Sequence, residues 1–157
     1  MGVSPLRLEL SSRLAASRAE VWAVVSSMKG VNDELMPFVR MTYPSRLSKL
    51  TAADVVPGAV LFHSWILGLG VLPFDLHALA LQEIREGDGF VEESTSWMQS
   101  RWRHERVLTD TPEGGCVVTD RLLIEPRVAL ARPLVAAVVG RLFAHRHRRL
   151  RERFGAG

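Results

Sequence analysis

Cysteine is nearly absent from this chain, because Cys116 is the only one among 157 residues. A single thiol excludes an intrachain disulfide framework and a zinc site built from several cysteines. Free thiols are typical of proteins in reducing compartments, so the sequence predicts a cytoplasmic location.

Long apolar runs are missing as well. Residues 1–14 alternate between polar and apolar types and lack the apolar centre of a secretory signal. The most apolar stretch, residues 61–81, contains His63, Asp75 and His77. A charge at the centre of a bilayer costs about 2–3 kcal/mol, so we expect two strands here and no transmembrane helix.

Internal repeats, low-complexity stretches and linkers are also absent from the sequence. The composition, 47% hydrophobic and 24% charged, is that of an ordinary globular protein. A chain of this length is typical of one folding unit, and we therefore expect residues 1–157 to form a single domain.

The first recognisable elements are a strand and two short helices. Leucines alternate with charged residues over positions 6–10, which predicts a half-buried strand. Residues 17–20, Ser-Arg-Ala-Glu, match a capping box at a helix start. We expect Gly30 to end that helix and Asn32 or Asp33 to cap a second, shorter one.

About six strands and one long helix follow. Strands are expected within residues 38–50 and at residues 59–67, 74–85, 90–97, 102–109 and 117–125. The helix is expected over residues 127–154, with Leu130, Leu134, Val138, Leu142 and His145 on one face. An antiparallel sheet with one apolar face needs a cover, and only this helix is long enough to provide it. The sequence thus predicts an α+β fold.

Four short phrases accompany this layout: Ala19-Glu20-Val21-Trp22, Trp102-x-His104-x-Arg106, Thr119-Asp120-Arg121 and Leu142-Phe143-x-x-Arg146. Together with the element order, they resemble the helix-grip superfamily of START domains, pollen allergens and polyketide cyclases, over roughly residues 5–154. The resemblance implies a curved antiparallel sheet of six or seven strands wrapped around a long C-terminal helix. It does not select a function, because the superfamily includes lipid carriers, hormone receptors and cyclases.

The hairpins between the last four strands predict which side chains share a face. If each hairpin is symmetric, Gln82 lies opposite Glu93, Glu93 opposite Arg106, and Arg106 opposite Asp120. Most apolar side chains of these strands fall on the same face as this row. We therefore expect the row to lie on the inner face, beneath the long helix.

The candidate ligand-binding residues all lie on that predicted inner face. They are Gln82, Glu93, Thr95, Trp97, Trp102, His104, Arg106 and Asp120. Two interpretations of the charged groups stay open: they orient the polar end of a bound molecule, or they form a closed ion-pair network. The two tryptophans are likewise either core residues or a stacking wall for a ring-bearing ligand.

The function that this pattern favours is non-catalytic binding of a small hydrophobic molecule, such as a lipid, a polyketide or an aromatic metabolite. Arg106 and His104 would anchor its polar end, while Trp97 and Trp102 would contact its body. The loop at residues 68–73 and the start of the last helix would gate the cavity.

Two other functions are considered. One is an enzyme resembling polyketide cyclases or dehydratases, in which His104 works with Glu93 or Asp120 as an acid–base pair. The other is an interaction module that acts through the basic C-terminal helix. The net charge of +3 comes largely from that helix. A weak possibility of binding to an anionic surface rests on Arg146, Arg148, Arg149 and Arg151, whereas nucleic acid is not expected, because base-stacking aromatic residues are absent from the tail.

Neither a cofactor nor a metal ion is expected. Gly68-x-Gly70 does not predict a dinucleotide site, because a strand follows it where a phosphate-binding helix would be required. His63, Asp75 and His77 do not predict a metal site, because the last two are expected on the outer face of the sheet.

Overall fold

A seven-stranded antiparallel sheet and a long C-terminal helix make up most of the computed structural model, which describes residues 4–157. The strands are β1 (Leu6–Leu14), β2 (Val39–Met41), β3 (Val60–Gly68), β4 (Leu72–Arg85), β5 (Gly89–Ser96), β6 (Gln99–Asp110) and β7 (Cys116–Pro126). The helices are α1 (Arg18–Val25), α2 (Met28–Leu35) and α3 (Arg132–Phe154). Short 3-10 turns occur at Ser45–Leu47, Ala52–Asp54 and Ala129–Ala131. The predicted helix-grip α+β fold is confirmed.

The sheet order is β1-β7-β6-β5-β4-β3-β2. Strands β3 to β7 therefore form one meander, and β1 pairs with β7 at the far edge. Register shifts interrupt the β3–β4, β4–β5 and β6–β7 ladders. Such bulges bend strands and increase their twist, which allows the sheet to curve around the helix.

The junction between α1 and α2 differs from the prediction in two respects. The capping box at Ser17 and Glu20 is present, as predicted. Gly30 does not end α1, however, but lies inside α2, whose N-cap is Ser27 and neither Asn32 nor Asp33. The Ser27 hydroxyl accepts from the Gly30 amide at 3.0 Å. A Cβ at position 30 would lie 2.0 Å from the carbonyl oxygen of residue 24, so glycine permits the two helices to approach closely.

The last helix begins five residues later than predicted, at Arg132, with Pro133 in its first turn where the missing amide is tolerated. Its buried apolar side chains are Val135, Val139, Phe143 and Leu150. The predicted face is displaced by one position from this stripe: Leu134, Val138 and Leu142 line a cavity, and Leu130 is 93% exposed. Within residues 4–157, no helix is long and apolar enough to cross a membrane.

The buried apolar residues form three clusters. One joins α1 to the far ends of β6, β7 and α3, around Val21, Leu108 and Val118. A second packs the first half of α3 on Leu122 and Ile124. A third lies under β3 and β4. The inner face of β7 therefore carries Val118 in one cluster and Leu122 in another, and the residue between them on that face is charged.

Candidate functional site

The strand registers decide which predicted site residues face inward. The β6–β7 prediction is confirmed, since Arg106 pairs with Asp120 and Leu108 with Val118. The β5–β6 prediction was wrong, because Arg106 lies opposite Phe90 and not Glu93. The turn falls at residues 97–98, earlier and tighter than the predicted turn at residues 98–101. The resulting shift of three positions is odd, so it exchanges the two faces of β5.

Four of the eight candidate residues consequently lie away from the inner face. Glu93 is on the outer face, where its carboxylate accepts from Arg103 at 3.2 Å. Thr95 and Trp97 are exposed on the same face, and the Trp97 ring packs edge-on against Trp65 at 5.2 Å. Gln82 sits at a bulge between Leu81 and Glu83 and does not line the cavity.

The β4–β5 prediction was wrong as well, because Ile84 lies opposite Phe90, Leu81 lies opposite Glu92, and Gln82 does not pair with Glu93. This offset, the bulge in β4 and the reversal of β5 together exchange the two faces of β4 before the bulge. Asp75 and His77, expected on the outer face, are buried on the inner one and line the cavity. Ala78 was expected inside and instead alternates with these lining residues. Trp102, His104, Arg106 and Asp120 occupy the inner side, as predicted. The structure thus brings four predicted residues together and adds Glu92, which lies opposite His104 on the inner face.

A cavity of about 400 Å³ lies between the inner face of the sheet and helices α2 and α3. Most of its lining is apolar, including Leu79, Leu81, Phe90, Val139, Leu142 and Phe143. Its polar lining residues are Ser26, Ser27, Asp75, His77, Glu92, Ser96, Gln99, His104 and Arg146. The lining residues Phe74, Met98, Leu134 and Val138 are also exposed to solvent and mark its open side.

Arg106 and Asp120 lie beneath this cavity and do not line it. Both are fully buried. Arg106 donates from Nε and Nη2 to the two oxygens of Asp120, each at 2.7 Å. It also donates from Nη1 and Nη2 to Glu34 on α2, at 2.8 and 3.0 Å. All three guanidinium nitrogens are therefore engaged, and this part of the polar row is a closed ion-pair network.

Asp120 accepts two further hydrogen bonds, both from histidines. His104 Nε2 donates to it at 2.7 Å and His147 Nε2 at 2.8 Å. The other ring nitrogen of His147 is 2.7 Å from the hydroxyl of Ser12. Burial alone would raise the pKa of Asp120, but the Arg106 and His104 charges outweigh burial and hold it well below its usual range.

Glu34 is the residue that ties α2 and α3 to the sheet. Besides the two bonds from Arg106, it accepts one from Arg146 Nε at 2.9 Å. Burial acts to raise the pKa of Glu34, yet the two guanidinium groups lower it overall. The carboxylate is thus ionised and shared between a closed network and a cavity-lining arginine.

The part of the network that faces the cavity consists of His77, Glu92 and His104. His77 Nε2 donates to Glu92 Oε2 at 2.6 Å, and the hydroxyl of Ser94 donates to the same oxygen at 2.7 Å. His104 Nδ1 lies 3.9 Å from the other Glu92 oxygen. Burial works to raise the pKa of Glu92, but His77 and His104 lower it overall. A histidine–carboxylate pair at hydrogen-bond distance can hold or move a proton.

The C-terminal basic cluster is only partly a surface feature. Arg146 was considered as part of a surface for anionic partners, but it is buried, as are His145 and His147. Arg146 therefore does not belong to a surface for anionic partners. Arg151 donates to Ser12 at 2.8 Å, and Arg149 to the carbonyl of residue 33 at 3.1 Å.

Two residues of the site, Arg146 and Glu34, were not predicted, and only one of them could have been found from the sequence pattern. Arg146 follows Val135, Val139 and Phe143 at helical spacing, so the true stripe of α3 would have predicted its burial. Glu34 gave no comparable signal, because α2 is short and the two arginines that bind Glu34 lie far away in the sequence, on β6 and α3. Among residues 4–157, no group of three or more histidine, cysteine or acidic side chains is placed to hold a metal ion.

The curved seven-stranded sheet and the long C-terminal helix define a helix-grip fold. A START superfamily protein from Mycobacterium smegmatis is similar, with a TM-score of 0.64 and 10% identity, covering 94% of this chain and 96% of the other. The Zhui aromatase/cyclase from Streptomyces sp. R1128 is similar with a TM-score of 0.61 and 14% identity, covering 93% of this chain and 91% of the other. Ara h 8.0201 has a TM-score of 0.54 and 12% identity, covering 94% of this chain and 98% of the other. At these identities the similarity establishes the fold alone.

Within this class, the chain belongs to the family described as a domain of unknown function, DUF8410, which it matches over residues 12–154. A comparison with proteins of curated function found no match.

The closed network predicts that Arg106→Leu is strongly destabilising. Removing the guanidinium leaves two buried carboxylates without their main partner, and breaking a buried pair costs about 3–5 kcal/mol. The matched control is Arg121→Leu, on the same sheet but exposed, where an ion pair is worth less than about 1 kcal/mol. Urea unfolding of both variants measures the difference. Equal losses would contradict a stabilising role for Arg106.

The lowered pKa values predict acid sensitivity with a definite sign. Because the folded protein keeps Glu34, Glu92 and Asp120 ionised where the unfolded chain takes up protons, their stabilisation is complete above about pH 5 and is lost as the pH falls below about 4. Each proton taken up lowers the unfolding free energy by roughly 1.4 kcal/mol per pH unit. Urea unfolding at pH 3 to 6 should show this slope. Glu92→Gln should reduce it more than the exposed control Glu83→Gln, and a flat profile in the unaltered protein would contradict the prediction.

Proposed function

We propose that this protein binds a small hydrophobic molecule in the cavity between the sheet and α3. The observation that carries the proposal is a cavity of about 400 Å³ whose lining is mostly apolar, with His77, Glu92 and His104 on its sheet side. Binding sites for small molecules have this character, with volumes of about 300–1,000 Å³ and a small number of placed polar groups.

Packing energetics supports the same function. Apolar side chains that face an empty space lose dispersion contacts, so most protein interiors avoid large voids. Here Leu79, Phe90 and Val139 line such a space although nearby residues pack closely. A bound apolar molecule would restore those contacts. A lipid, a polyketide or an aromatic metabolite all fit this requirement.

The roles of individual residues in this proposal differ from the initial expectation. Trp102 keeps a role in contacting the body of the ligand, since it lines the cavity beside Phe143 at 6.2 Å. His104 keeps a role at the polar end. Arg106 has none, because its donors are taken by Glu34 and Asp120. The start of α3 is the proposed gate, since Leu134 lies on the open side.

Native mass spectrometry of the freshly purified protein, followed by solvent extraction, tests the proposal directly. A stoichiometric small molecule that is released on denaturation is the expected result. An apo mass, together with no binding of the neutral dye Nile red, would contradict it.

A pair of valines on and near α3 offers a sharper test. Val138 lines the cavity and is 55% exposed, whereas Val128 is 61% exposed and does not line it. Val138→Trp should obstruct the open side and weaken Nile red binding at least about tenfold, equivalent to 1.4 kcal/mol. Val128→Trp should bind as the unaltered protein does. Equal affinity of the two variants would place the dye elsewhere.

The second candidate is an enzyme of the cyclase or dehydratase type. The observation that favours it is the hydrogen bond of 2.6 Å between His77 and Glu92 inside the cavity. Glu93 cannot serve as the carboxylate because it lies on the outer face, and Asp120 is fully engaged. His77 and Glu92, with His104 nearby, therefore replace the acid–base pair that the sequence suggested.

Proton exchange tests this candidate without knowledge of the substrate. If His77 acts as a base, the protein should accelerate deuterium incorporation into the methyl group of 2-acetylnaphthalene in D₂O, as followed by NMR. His77→Gln should abolish the acceleration, and the exposed control His63→Gln should retain it. A rate equal to that of buffer alone would leave non-catalytic binding as the function.

A further inference from the structure

Arg146 is a buried cation whose hydrogen-bonding capacity is mostly unused. Its side chain is 7% exposed and lines the cavity. Nε donates to Glu34 at 2.9 Å, and the guanidinium lies over the Phe143 ring at 4.8 Å. Within residues 4–157, neither Nη1 nor Nη2 has a hydrogen-bond partner.

Arg106 and Arg146 differ in how many of their donors the protein uses. Both arginines bind Glu34, but Arg106 uses all three nitrogens on protein carboxylates. A guanidinium has five N–H donors in a fixed fork, of which Arg146 uses one. Nη1 and Nη2 are not enclosed by protein atoms, so their donors are open to a molecule in the cavity that Arg146 lines. An oxygen atom of a bound molecule is a suitable acceptor for the remaining fork.

The charges around Arg146 indicate what kind of oxygen this is. The buried charged groups in and beneath the cavity are two guanidinium groups, Arg106 and Arg146, and four carboxylates, Glu34, Asp75, Glu92 and Asp120. The histidines that face these carboxylates are His77, His104 and His147. A ligand carboxylate would add a fifth carboxylate to a buried site in which carboxylates already outnumber guanidinium groups, which is unfavourable. A neutral oxygen adds no negative charge.

Gln99 is a second cavity-lining residue with a polar atom that has no hydrogen-bond partner in the part of the chain that the structure describes. Its Oε1 atom is buried without a hydrogen bond among residues 4–157, and the side chain lines the cavity. An amide oxygen only accepts hydrogen bonds, so a ligand would need a donor of its own to satisfy this atom.

We propose that the ligand is an apolar molecule with a neutral oxygen acceptor, such as a ketone, ester or phenol oxygen, which accepts hydrogen bonds from the Nη atoms of Arg146. This inference rests on the proposed binding function and specifies its ligand class. It excludes fatty acids and other carboxylates as the preferred ligands.

Three rigid probes of matched shape test the inference: naphthalene, 2-acetylnaphthalene and 2-naphthoate. Their affinities are measured at pH 8 by displacement of Nile red. In the unaltered protein, 2-acetylnaphthalene should bind at least about tenfold more tightly than 2-naphthoate and more tightly than naphthalene. Arg146→Met should remove the advantage of the ketone over naphthalene while naphthalene itself still binds. Arg141→Met, at an exposed position of α3 that does not line the cavity, should change nothing.

The outcomes separate the inference from the function on which it rests. Tighter binding of 2-naphthoate, or an unchanged ketone preference in Arg146→Met, would overturn the ligand class while leaving the cavity as a binding site. Failure of Nile red and all three probes to bind would overturn the binding function, and the inference with it. If circular dichroism shows that Arg146→Met is unfolded, Arg146→Lys replaces it. Lysine keeps a charge beside Glu34 but lacks the fork, so the same loss of ketone preference is expected.

Discussion

The buried contact between Arg106 and Asp120 is the interaction on which the rest of this structure depends. Both groups are fully buried, so neither could remain charged without the other. Asp120 accepts four hydrogen bonds, and its donors come from β6 and α3. Through Glu34 the same arginine holds α2. One ion pair between adjacent strands thus determines where two helices lie on the sheet.

This arrangement also explains why the cavity exists. The network separates the apolar cluster around Val118 from the one around Leu122, and apolar side chains cannot close over it without leaving charges unsatisfied. Helix α3 contacts the sheet on both sides of the network. Between α3 and strands β4 and β5, where the polar groups reach Glu92 and His77, the space stays open. The cavity is therefore a consequence of how the charges are buried.

Much of the fold could be predicted from the sequence, whereas half of the candidate site could not, and the reason is physical. Strands and helices are encoded by local periodicity, which places every major element within a few residues of its observed position. The face on which a side chain lies depends on strand register, and register depends on turn length. Because the turn at residues 97–98 is tighter than predicted, the inner face of β5 carries Glu92, whereas the prediction placed Glu93 there. The β6–β7 pairing was right because its turn is long and symmetric. Glu34 could not be predicted, since its role arises only from tertiary contacts.

Whether a buried charged group has all its hydrogen-bond partners within the protein distinguishes structural from functional charges here. Arg106 and Arg146 are the same residue type, are both buried and share Glu34, so neither type nor burial distinguishes them. What differs is the direction of their remaining donors. Arg106 directs its donors to carboxylates of the protein and stabilises the fold, while Arg146 borders the cavity with its terminal nitrogens unpaired. Four N–H donors of Arg146 thus have no acceptor among residues 4–157, although the side chain as a whole is largely buried. A molecule from outside the chain is a suitable acceptor for them.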